Sequence, residues 1–91
     1  MSDDPELLRL RAAMDAINAR LAAVLHERAA LCRRIGAHKR ARGLPGPDPD
    51  RERQMLGTLL QQTPPDGYPP DDLAAILRAV FAASRRLVGP P

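Results

Sequence analysis

A chain of 91 residues makes one small domain that buries only a modest share of its surface when alone, and Cys32, the single cysteine, excludes an internal disulfide framework. No apolar run approaches the roughly 18 residues of a membrane span and no signal peptide opens the chain, so a cytoplasmic setting and no membrane partner are expected. The net charge of +3 and the pI near 10.0 raise nucleic acid as a partner, but the arginines are interleaved with Asp and Glu and only Tyr68 and Phe81 are aromatic, which leaves no platform for stacking bases; a small anionic ligand suits the basic excess better.

The first element predicted is a helix from Pro5 to Arg42, about 38 residues and about 57 Å long. After Ser2 and Asp3, Asp4 can cap it, Pro5 suits the first helical position and Glu6 complements the dipole. Gly43 is a left-handed stop and Pro45 prevents continuation. Leu7, Leu10, Met14, Ile17, Leu21, Val24, Leu31 and Ile35 follow in steps of three and four, the seam of a helix that packs along its length. Such a stripe has no partner long enough in its own chain, which predicts an oligomer. Between Val24 and Leu31 the rhythm calls for an apolar residue and finds Arg28; Arg11 flanks the seam near its start and Lys39 near its end.

Leu44-Pro45-Gly46-Pro47 is a short stiff turn. A second helix over about residues 49–62 starts with Asp48 as cap and Pro49 in the first turn. Its apolar face is Met55, Leu56, Leu59 and Leu60, and Glu52 lies on that face. After the loop Asp66-Gly67-Tyr68-Pro69-Pro70, a third helix over about residues 71–88 is capped by Asp71 or Asp72. Its stripe is Leu73, Ile76, Leu77, Val80, Phe81, Leu87 and Val88, with Ser84 in a slot the period assigns to an apolar residue. Residues 89–91 read as a frayed tail. With no strand signal and no internal repeat, residues 1–91 form a single all-α domain.

Arg28 and Lys39 are eleven positions apart, about 20° on the helical wheel and about 16 Å along the axis, so their side chains can lean toward one small ligand. Arg11 is about 25 Å from Arg28 along the axis and reaches that ligand only if the helix pairs antiparallel with a copy of itself, which makes a symmetric dimer with shared sites. Taken singly, each residue has a plainer reading: Arg28 snorkels, Lys39 is a helix-end cation, Arg11 pairs with Glu6 or Asp15, Ser84 bonds back to its own helix, and Glu52 is solvated. Their convergence on the inner faces favours a site. The one lysine among thirteen arginines is either chance or a position that needs a compact point charge. His26, Cys32 and His38 turn about 120° at each step and cannot share a metal ion from one helix, so no metal and no cofactor are expected.

Leu8-x-x-Arg11, Met14-Asp15-x-Ile17-Asn18-x-x-Leu21, Glu27-Arg28-Ala29, Ile35-Gly36-x-x-Lys39, Asp48-x-x-Arg51-Glu52 and Ser84 together resemble the all-helical chorismate mutases over nearly the whole chain. Asn18 stands where that family usually has Asp. The resemblance implies a three-helix protomer with one long N-terminal helix, an intertwined homodimer, and the Claisen rearrangement of chorismate to prephenate in aromatic amino acid biosynthesis. It implies that Arg28 and the partner protomer's Arg11 bind the two substrate carboxylates, and that Lys39 binds a carboxylate and donates to the ether oxygen. The Asp48 backbone and Glu52 take the ring hydroxyl with Arg51 close by, and Ser84 supports a carboxylate. Four residues after Ser84 the family usually has Gln or Glu as a second donor to the ether oxygen; here it is Val88. Arg85 is the nearest substitute, but the helical period projects it off the Ser84 face. The departure leaves three readings: a slow chorismate mutase; a same-fold enzyme acting on 4-amino-4-deoxychorismate or isochorismate; and a mutase or interaction module activated by the first synthase of the shikimate pathway.

Overall fold

The computed structural model describes residues 4–89; Ser2, Asp3, Pro90 and Pro91, to which the reading above assigned a helix entry and a tail, lie outside them. Three helices make up the fold: α1 (Pro5–Arg42), α2 (Pro49–Gln61) and α3 (Pro70–Val88), with no strand among the described residues. At the start of α1 the Asp4 carboxylate accepts from the backbone N–H groups of Glu6 and Leu7 at 2.9 and 3.1 Å, satisfying two of the donors a helix start leaves orphaned. At its end Gly43 sits at φ 64°, a left-handed conformation that costs glycine no Cβ clash. Asp48 caps α2 by accepting from the Arg51 N–H at 3.1 Å.

The third helix begins differently from the expectation. Its N-cap is Pro69, with no side-chain cap bond, and Asp71 and Asp72 fall inside the first turn. Pro70 is pre-set for the first helical position, so the chain turns helical before either Asp can act as cap, and their carboxylates complement the dipole instead. At the other end Gly89 is not free: its N–H donates to the Arg85 carbonyl at 3.1 Å.

α3 packs on both α1 and α2, while α1 and α2 share no packing interface. The small core is Cys32 of α1 with Ala74 and Phe81 of α3, and Gly36 of α1 is buried beside it. At Gly36 the end of α3 comes against α1 so closely that a Cβ would overlap the Val88 carbonyl oxygen and lie 3.0 Å from Val88 Cα. Arg40, one turn on, donates from Nη1 to that same carbonyl at 2.7 Å, supplying an acceptor that the last turn of α3 leaves open with a donor.

From Pro5 to Glu27 every residue of α1 is exposed. Leu10, Met14, Leu21 and Val24 are each more than half exposed, and the chain measures 58 × 25 × 18 Å with a radius of gyration of 17.3 Å, against about 12 Å for a compact domain of this length.

Gly36→Ala should lower stability by about 1–3 kcal/mol, the cost of forcing a methyl into a closed contact. Gly57, with nothing within 4 Å of an added Cβ, is the control, and Gly57→Ala should raise stability by up to about 1 kcal/mol. Urea unfolding at matched protein concentration measures both; equal shifts would show that α3 does not dock at Gly36.

Candidate active site

A cavity of about 300 Å³ opens between the C-terminal half of α1, the turn into α2, the first turns of α2 and the end of α3. From α1 it takes Arg28, Leu31, Cys32, Ile35 and Lys39; from the turn and α2 it takes Gly46, Pro47, Asp48, Arg51, Glu52 and Met55; from α3 it takes Phe81, Ser84, Arg85 and Val88. Of the site residues read from the sequence, Arg28, Lys39, Asp48, Arg51, Glu52, Ser84 and Val88 therefore line one space. Arg11 does not: it lies on the uncovered part of α1, exposed to solvent.

Arg28, Lys39, Ser84 and Glu52 each have a protein partner at the cavity that sets the direction of the side chain. Arg28 donates from Nη1 to Ser84 Oγ at 2.5 Å, and its guanidinium lies over the Phe81 ring, 5.4 Å from the centroid, a cation–π distance. Ser84 in turn donates to the Val80 carbonyl at 2.8 Å. The hydroxyl thus bonds back to its own helix and still offers a lone pair to Arg28, so its plain reading and its site reading hold together. Lys39 donates from Nζ to the Gly46 carbonyl at 2.8 Å, across the turn that joins α1 to α2, and Gly46 is buried there.

Glu52 is not solvated as its plainer reading had it. Its side chain is 24% exposed and its Oε2 takes a bond from Arg85 Nη1 at 2.6 Å. Arg85 is the residue that the sequence reading misplaced. A step of 100° puts its Cα off the Ser84 direction, but the stripe of α3 is two residues wide at each turn, as Ile76 with Leu77 and Val80 with Phe81 show. Arg85 stands one turn after Phe81, on the second ridge of that stripe, and its long side chain turns toward α2. The spacing Leu77, Phe81, Arg85 was the signal that could have placed it. Val88 lines the cavity with a side chain that has no polar atom, so that side chain supplies no donor.

The cavity can do little covalent chemistry. Cys32 is buried, with no His among the lining residues to activate it. What it offers is the ammonium of Lys39 and the guanidinium groups of Arg28, Arg51 and Arg85 around a largely apolar floor, with carboxylates at Asp48 and Glu52. That arrangement suits a compact ligand that carries negative charge and also offers a hydrogen-bond donor to a carboxylate.

The sequence profile of a family described as chorismate mutase type II matches residues 10–88. Among solved structures, the form I chorismate mutase of Thermus thermophilus superposes with a TM-score of 0.83 at 32% identity, covering 87% of this chain and 98% of that one. The form II structure from the same organism superposes with a TM-score of 0.87 at 31% identity, covering 91% and 93%. Among curated proteins nothing matches.

Proposed function

The chain belongs to the type II chorismate mutase family, and from that membership we propose how it carries out the reaction: as a homodimer whose two sites each combine the cavity of one protomer with Arg11 of the other. It is an isomerase that rearranges chorismate to prephenate. One ether C–O bond breaks as one C–C bond forms within a single molecule, with no proton, electron or group exchanged. Such a reaction needs a flexible dianion held folded and the charge on the breaking ether oxygen stabilised.

The observation that carries the reading is that one cavity gathers Arg28, Lys39, Glu52 and Ser84, while Arg11 lies exposed beside the uncovered apolar seam of α1. Arg28, held by Ser84 and the Phe81 ring, binds one carboxylate. The partner's Arg11 closes the second carboxylate as two α1 helices run antiparallel. Lys39 reaches a carboxylate and the ether oxygen, keeping two of its three N–H donors beyond the one given to Gly46. The Glu52 carboxylate accepts from the ring hydroxyl, and the Asp48 backbone N–H donates to the hydroxyl oxygen. Arg51, in the same first turn, adds positive potential.

Val88 favours a second reading on one point, the level of activity. With no second donor to the ether oxygen, turnover by the chain alone is slow, and a partner that reshapes the end of α3 would raise it; the first synthase of the shikimate pathway is the partner to test. Assays of chorismate, 4-amino-4-deoxychorismate and isochorismate, with and without that synthase, separate these cases. A chain inactive on chorismate in both conditions but fast on another of the three would overturn the substrate assignment.

Light scattering at micromolar concentration should return about twice the mass of one chain; a well-folded monomer would remove the shared site. Arg11→Ala and Arg28→Ala chains should each be inactive, and mixing them should restore part of the activity, because heterodimers carry one intact site. Verified heterodimers with no activity would place Arg11 outside the site.

Lys39→Ala should cost more in kcat than in KM, the mark of an interaction strengthened in the transition state, and Lys39→Arg should not rescue it. Val88→Gln should raise kcat, with a gain of at most about 2.7–4 kcal/mol by analogy with an oxyanion donor. An unchanged kcat in a folded Val88→Gln protein would mean that another group already fills that role.

A further inference from the structure

Glu52 and Arg85 form an ion pair between two of the helices that line the cavity. The pair joins α2 to α3 at 2.6 Å, and its members differ in exposure: Glu52 24%, Arg85 49%. Glu52 is thus the inner member and Arg85 the outer. Only Oε2 of the carboxylate is taken by Arg85, so Oε1 keeps its full accepting capacity. The other carboxylate of the cavity, on Asp48, is engaged at the start of α2 by the Arg51 N–H. Each carboxylate thus keeps one oxygen free, and the proposed reading gives the ring substituent to that of Glu52.

An unpaired carboxylate in a half-closed site attracts an ammonium far more strongly than a hydroxyl, since the first interaction is between charges and the second is a single hydrogen bond. A carboxylate already bonded to a guanidinium has lost most of that attraction, and an ammonium approaching it also meets the guanidinium's repulsion. Its free oxygen still accepts from a neutral donor. We infer that Arg85 is a specificity-determining residue that acts through Glu52: by pairing its charge and fixing its carboxylate, it makes the cavity select a ring hydroxyl over a ring ammonium at the same position.

The inference rests on the proposed reading of Glu52 as the acceptor for the ring substituent, and it deepens that reading by naming what sets the choice of substituent. It also accounts for a charge problem. Without Arg85, a carboxylate would face a dianion across a cavity with one fewer cation, and the dianion would bind more weakly.

The test compares kcat/KM on chorismate with kcat/KM on 4-amino-4-deoxychorismate, whose ring hydroxyl is replaced by an amino group. In the parent the ratio should favour the hydroxyl substrate. Arg85→Gln should lower that ratio roughly tenfold, a modest factor because a half-exposed charge is screened by solvent, and should raise KM for chorismate more than it lowers kcat. Arg85→Lys keeps a cation and should hold the ratio near the parent's. In a Glu52→Gln background, Arg85→Gln should no longer move the ratio, a dependence that a merely structural role would not produce. A folded Arg85→Gln protein with the parent's ratio would overturn the inference, and so would an equal shift with Glu52→Gln already present. Should Arg85→Gln fail to fold, the Lys variant decides: a ratio that collapses with the cation kept overturns the inference, and a preserved ratio with measurable turnover supports it. A parent with no turnover on either substrate would instead overturn the proposed reading itself, and this inference with it.

Discussion

The closed contact between Gly36 and Val88 decides where the rest of the site can be. With no side chain at position 36, the last turn of α3 comes to rest on the backbone of α1, and Arg40 holds it there through the Val88 carbonyl. A helix is rigid over its length, so pinning the end of α3 also sets its earlier turns. Ser84, one turn back, comes within hydrogen-bond reach of Arg28, and Phe81 comes under the same guanidinium. Arg85 is left on the side facing α2, where it meets Glu52. One missing methyl group thus organises three polar contacts that join α3 to α1 and to α2.

The second constraint is what the protomer leaves uncovered. Its buried apolar core is Cys32, Ala74 and Phe81, far too little to offset the ordering of a chain of this length. The apolar surface that could supply the difference is on α1, at Leu10, Met14, Ile17, Leu21 and Val24. Burying it against a second copy would serve folding and catalysis at once, since the same stretch of α1 carries Arg11. In this reading stability and the completion of the site are one event, and a protomer that fails to pair loses both.

Most of the architecture was legible because α1 and α2 advertise their ends. Asp4, Pro5 and Gly43 act as their chemistry implies, and Asp48 caps α2. Where two candidate signals competed, at Pro70 against Asp71 and Asp72, the fixed φ of proline prevailed over capping preference. Along α1 the interruption of the seam at Arg28 was visible as a broken period, and the structure gives it an aromatic face and a hydroxyl in place of solvent. Arg85 was not legible in the same way. A wheel projection gives the direction of a Cα–Cβ bond, whereas an arginine's terminal nitrogens lie several bonds further out and follow the nearest carboxylate. That carboxylate belongs to Glu52, 33 positions away in sequence, and only the packing of α3 on α2 brings it near.

Lys39 and Arg28 are held before any ligand arrives, yet neither is saturated. Lys39 gives one of three N–H donors to Gly46, and Arg28 gives one of five to Ser84. Both acceptors are neutral, so neither cation has spent its charge on a protein carboxylate, and both remain able to meet an anion without first breaking an ion pair. Arg85 differs in this respect, since its partner is the charged Glu52. Arg28, Lys39 and Arg85 therefore fall into two kinds. Arg28 and Lys39 are oriented by neutral oxygens and keep their full positive potential for a ligand. Arg85 is matched to a carboxylate and adjusts what that carboxylate can accept. For a unimolecular rearrangement of a dianion, where positioning and electrostatics supply the rate, cations oriented by neutral oxygens are ready to meet the ligand's charge, and in the proposed reading Arg85 keeps Glu52 from repelling it.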